Sequence, residues 1–170
     1  MKKISLNQRK SLLLLHILFA AIWFGTTVVF LVLSINAAAT ENEQTLVSSY
    51  TAMYLLASSS GRVSIFGTVI TGILLSVLTK WGLFKHYWII AKEGLSLVMM
   101  GLGLVAIYSI SLNAFNVSSA NGLATKEMNN QGWLFTGVIL QILSLILTFW
   151  LSVIKPWGKR NASRSSKISL

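Results

Sequence analysis

The sequence predicts an all-α fold, an integral membrane bundle of four helices with both termini cytoplasmic. Three observations predict it. The 170 residues are 54% hydrophobic and 11% charged, with a mean hydropathy of +0.70, a profile foreign to a soluble domain. Apolar residues gather in four stretches, each near the roughly 20 residues needed to cross a bilayer core about 30 Å thick. Lys and Arg fall almost entirely at one set of ends of those stretches.

Helix 1 is predicted over residues 11–35. A basic N-terminus, an apolar run and Ala37-Ala38-Ala39 together also suit a cleaved signal peptide. The run is far longer than the ~7–15 residues of a signal core and carries His16 and Trp23, so it reads as a transmembrane helix. Residues 46–57 put Leu46, Val47, Tyr50, Met53, Tyr54 and Ala57 on one helical stripe. That predicts an amphipathic segment that lies on the outer surface or extends helix 2 outward, read as an interfacial anchor rather than as a lid over a cavity. Helix 2, over residues 63–79, is the shortest and most polar span, and its Ser and Thr hydroxyls can bond to helix carbonyls.

Helix 3 is predicted over 87–112, joined to helix 2 by Lys80-Trp81-Gly82-Leu83-Phe84-Lys85. So short a joint makes the two helices antiparallel neighbours. Residues 113–132, rich in Asn, Ser and Gly, read as irregular chain. Helix 4 covers 133–154, which closes a four-helix domain over 1–158 and leaves a basic disordered tail at 159–170.

Orientation follows from the cations. Lys2, Lys3, Arg9 and Lys10 precede helix 1, Lys80 and Lys85 sit in the central joint, and Lys155, Lys159, Arg160, Arg164 and Lys167 follow helix 4. Only Arg62 and Lys126 lie at the other ends, which predicts termini and central joint in the cytosol and residues 36–61 and 113–132 outside. The formal net charge is +10, but these cations flank apolar spans instead of forming a patch on a soluble domain, which argues against nucleic acid as a partner. The expected partners are the lipid bilayer, anionic lipids at the cytoplasmic face, and a second copy or another membrane protein. With no cysteine, disulfides, thiolate metal sites and CxxC redox chemistry are excluded.

Ser60, Ser64, Thr68, Gly72 and Ser76 recur at every fourth residue of helix 2. Small side chains at that spacing let a second helix approach closely, so they are read as helix-packing residues. Ionisable residues within the spans are His16, Lys92 and Glu93, each costly in hydrocarbon unless paired or solvated. His16 lies about 9 Å of helix rise from Lys10, and Lys92 about 9 Å from His86, so both should stand at one level of the inner leaflet. Trp23 shares the face of His16. Lys92 and Glu93 project about 100° apart and are expected to address different partners. Gln141 on helix 4 is expected to bond between helices.

The run Leu15-His16-Ile17-Leu18-Phe19-Ala20-Ala21-Ile22-Trp23-Phe24-Gly25, the helix 3 segment Trp88-Ile89-Ile90-Ala91-Lys92 and the ending Lys155-Pro156-Trp157-Gly158 resemble a four-helix bacterial membrane protein family, a domain of unknown function akin to CopD-domain and HemJ-type membrane proteins. The resemblance implies a bacterial cytoplasmic membrane, and by analogy with HemJ-type proteins it implies roles for His16 and Lys92 in haem binding or catalysis. The chain departs from the pattern with Thr26, where a second glycine is common, and in its few other histidines.

With only two histidines, His16 and His86, a bis-histidine di-haem cytochrome is excluded for one chain. A single haem through His16 remains, with a second ligand from Lys92, a methionine or none. Haem or a porphyrin is therefore the cofactor to test, with His16 and Lys92 as its binding residues, Trp23 beside them, and His16 a metal ligand only toward haem iron. Copper is poorly served by a lone histidine without cysteine. The competing reading is a non-enzymatic transport or partner-binding subunit, and no reaction is assigned.

Overall fold

The computed structural model describes residues 4–79, 86–109, 112 and 127–154. Helix α1 spans Leu6–Ala39. It starts five residues before the predicted span because Ser5 and Gln8 form a capping box: Ser5 Oγ accepts from the Gln8 amide at 3.2 Å, and Gln8 Oε1 accepts from the Ser5 amide at 3.0 Å. Arg9 and Lys10 therefore ride on helix. The chain leaves α1 at Thr40 in extended conformation, and Asn42 then caps α2 (Glu43–Leu56), its Oδ1 accepting from the amides of Gln44 and Thr45.

Helix α2 does not stop at Leu56. It runs through a π turn at Ala57–Gly61 directly into α3, Arg62–Leu78. The serine run accounts for this, since Ser58 and Ser59 both donate to the Leu55 carbonyl, at 3.1 and 2.5 Å, in competition with the regular helix bond. Of the two expected placements for residues 46–57, the chain takes the extension of the second span. The apolar stripe is covered by protein: Tyr50 and Met53 are buried with Phe30, Ala37, Ile107, Leu134 and Val138.

Helix α4 (Tyr87–Gly101) passes into a second π turn at Leu102–Ile107. Helix α5 spans Glu127–Ile154, so residues 127–132, expected as irregular chain, are helical. The joint at 80–85, residues 113–126 and everything beyond 154, including the predicted tail, lie outside the described residues.

Among the described residues, four helical stretches are long and apolar enough to cross a membrane: Leu6–Ala39, Glu43–Leu78, Tyr87–Val105 and Gly132–Ile154. Neighbours around the bundle run α1, α3, α4, α5 and back to α1, with α1 packed most extensively along α3. α1 turns inward His16, Ala20, Trp23, Thr27, Phe30, Ser34 and Ala37, a spacing of three and four, while Leu14, Ile17, Leu18, Val29 and Val32 face out. The inward stripe is the more polar one. Such an arrangement suits a lipid exterior, where apolar surface costs nothing and polar groups bond inside.

The interior has three levels. One end joins the first turns of α1, the last of α3, the first of α4 and the last of α5 around a cavity with mostly apolar walls and several polar and charged side chains among them. Trp23, Ile65, Met99 and Leu145 pack above it, and the Phe30, Tyr50, Met53 and Val138 cluster fills the far end. The start of α1 and the end of α5 thus share one end of the bundle.

Candidate functional site

His16 is buried on α1, and its Nδ1 lies 2.9 Å from Thr71 Oγ1 on α3. Thr71 has one hydroxyl hydrogen, and it has backbone acceptors at Gly67 O (2.5 Å) and Thr68 O (3.2 Å). With that hydrogen committed to the helix, the hydroxyl oxygen accepts from Nδ1–H, and in the neutral ring Nε2 is the lone-pair nitrogen. A helix-internal bond therefore sets the tautomer of a side chain on another helix.

Gly72 is the meeting point of the polar groups. A Cβ built there would stand 3.3 Å from His16 Cε1 and 3.6 Å from Glu93 Oε1, so glycine makes room for the imidazole, while the carboxylate reaches the same point of α3 from another helix in ordinary contact. One turn on, Ser76 Oγ donates to Glu93 Oε1 at 3.0 Å. Around them is a cavity of about 250 Å³ whose walls include Arg9 and His16 from α1, Gly72 and Ser76 from α3, Lys92 and Glu93 from α4, and Ser152 from α5. All four spans contribute, so the cavity lies on the bundle axis near one end.

His16 and Lys92 do come together on this cavity. Glu93 joins them, whereas the angular offset of neighbouring helix positions predicted separate partners. The cavity is broad enough for adjacent residues of α4 to border it together. Two cations, Arg9 and Lys92, and one carboxylate, Glu93, thus border a space that could receive an acidic ligand.

Trp23 is not part of this site. It is buried among Ile65, Met99 and Leu145 and borders a separate small cavity that Gln141 also lines. Gln141, expected to bond between helices, is 2% exposed and its Oε1 has no hydrogen-bond partner among the described residues. The packing stripe splits by role: Ser64 and Thr68 are buried against the bundle and bond to their own helix, Gly72 and Ser76 shape the cavity, and Ser60 sits in the π turn. Among the described residues no group of three His, Cys, Asp or Glu side chains could hold a metal ion.

Sequence reasoning missed Arg9, Thr71 and Ser152. The available signal for Thr71 was the need of an intramembrane histidine for a partner, on the helix richest in hydroxyls. No family model, no curated protein and no solved structure matches this chain.

Proposed function

We propose that this is a membrane protein that binds haem or a porphyrin in the axial cavity, with His16 as the ligand to haem iron and Lys92 and Arg9 as partners for the acidic side chains of the macrocycle. The observation that carries the reading is the His16–Thr71 bond. Histidine ligands characteristically donate their second ring nitrogen to a fixed acceptor, which sets the tautomer and aims the other nitrogen at the metal. Thr71 is such an acceptor. Gly72 keeps one side of the imidazole free of a side chain.

The donor set fits the group. The volume, about 250 Å³, lies just under the ~300–1,000 Å³ of common small-molecule pockets, so the cavity suits one edge of a macrocycle and full entry needs the helices to part. Bound haem would supply one-electron redox chemistry. The protein's share is to hold the iron through His16, neutralise carboxylates with Lys92 and Arg9, and surround the site with hydrocarbon. This reading is the one implied by the resemblance to CopD-domain and HemJ-type proteins, and it leaves the reaction itself unassigned.

We further propose a bacterial cytoplasmic membrane, with both termini in the cytosol and anionic headgroups around the basic ends. The one-sided cations support the orientation, and the shared end of α1 and α5 supports a common side for both termini. The transport or partner-binding reading leaned on the small-residue stripe of the second span. That stripe is largely covered by the chain's own α1 and α4.

Absorbance tests the proposal. Detergent-purified protein from haem-replete cells should show a Soret band that His16→Ala abolishes and Lys92→Met weakens. Colourless protein that also fails to take up added haemin would overturn it.

A further inference from the structure

The second cavity, about 30 Å³ in volume, lies deeper in the bundle between Trp23 of α1 and Gln141 of α5. Both side chains are 2% exposed, and neither Trp23 Nε1 nor Gln141 Oε1 has a hydrogen-bond partner among the described residues. Leaving a donor and an acceptor unpaired in such a place costs on the order of 1–3 kcal/mol each. Buried polar groups in native proteins are almost always satisfied. An indole N–H can only donate and an amide oxygen can only accept, so one molecule that accepts from the first and donates to the second would satisfy both.

The space around them is kept open by the backbone. Both π turns border it, through Ala57 and Gly61 from the first and Gly103 and Ile107 from the second. A π turn adds one residue to a helical turn, widening it locally, and such turns gather at functional sites. At Gly103 a Cβ would come within 2.9 Å of Ile65 Cδ1 and 3.3 Å of Gln141 Nε2, so glycine is what leaves room beside the amide.

We propose that this cavity is a binding site for a buried water molecule that bridges Trp23 Nε1–H and Gln141 Oε1. Its size suits about one or two waters. The chemistry selects against ions: a cation meets the hydrogen of the indole, and an anion meets the amide oxygen. A neutral molecule with both a donor and an acceptor is required. The water links α1 to α5, and it does so where the two long helical stretches are widened. It stands independently of whatever occupies the His16 cavity.

Nuclear magnetic resonance of the full chain in micelles, with tryptophan indole nitrogens labelled, provides the test. The Trp23 indole N–H should give a direct dipolar cross-peak to water despite its burial, and Gln141→Met, which keeps the length of the side chain and removes the acceptor, should reduce that peak to background. Absence of the cross-peak in the wild-type protein overturns the proposal without recourse to any variant. A cross-peak of unchanged intensity in folded Gln141→Met overturns it as well, since the water would then not need the amide.

Discussion

His16 and Thr71 are joined at 2.9 Å across two helices, although 55 positions separate them in the chain. Thr71 is itself tied to the Gly67 carbonyl. The ring is therefore oriented by α3 rather than by its own helix.

Replacing that hydroxyl by a methyl group should expose the dependence. Thr71→Val removes the hydroxyl acceptor of the buried imidazole and leaves it the Thr68 backbone, and the expected loss is about 1 kcal/mol of unfolding free energy. On the haem reading, affinity should also fall about 10–100-fold, as for other outer partners of histidine ligands. Denaturant titration in micelles measures the first effect and haemin titration the second.

Gly72→Ala should act on the same site from beneath. The new Cβ lies 3.3 Å from the imidazole, which must give way by a few tenths of an ångström, and 3.6 Å from the Glu93 carboxylate, an ordinary contact that can stay in place. The His16 ring resonances should shift while the helix content stays constant. Unshifted resonances would mean that the ring does not rest on Gly72.

Gly67 is where the Phe19 ring of α1 rests on the backbone of α3. A Cβ there would stand 2.5–2.7 Å from the ring atoms of Phe19, and Gly67→Ala should cost about 1–3 kcal/mol by overpacking. Combining it with Phe19→Ala should relieve the clash, giving a clear coupling energy in a double-mutant cycle. Gly94, with nothing within 4 Å of its would-be Cβ, is the control: Gly94→Ala should gain about 0.5–1 kcal/mol from helix propensity.

Arg62, a cation within the long second span, sits 4.0 Å from the centroid of the Tyr108 ring. Tyr108→Leu should cost about 0.5–2 kcal/mol, whereas Tyr108→Phe should retain most of the stability because the ring face is unchanged. Equal losses in the two variants would assign the effect to the hydroxyl instead.

Hydropathy carried most of the architecture, since apolar length alone determines which segments can span a bilayer. The shared level of His16 and Lys92 was legible too, because helix rise converts sequence distance into depth. Small residues at every fourth position pointed to close approach near Gly72. They did not point to Gly67, the described glycine with least room for a Cβ, because a clash depends on which bulky side chain the neighbouring helix presents, and one sequence does not align two helices. The π turns escaped for a related reason. Ser58-Ser59-Ser60-Gly61 was a visible disturbance of the helix, yet its outcome, a widened turn rather than a break, depends on competition between hydroxyls and amides for one carbonyl. Glu93 was separated from Lys92 by angular reasoning that treats a site as a point, and a cavity has breadth.

The uninterrupted helix from Glu43 to Leu78 has 36 residues, a length of about 54 Å at 1.5 Å per residue. A hydrocarbon core of about 30 Å cannot contain it. At the tilts of up to about 40° usual for membrane helices, a span of this length would leave several turns clear as a stiff post, braced by α1 through contacts such as Asn36 with Ser49. A fiducial protein fused in helical register at Glu43 would inherit that stiffness, which makes this small chain a practical subject for single-particle imaging.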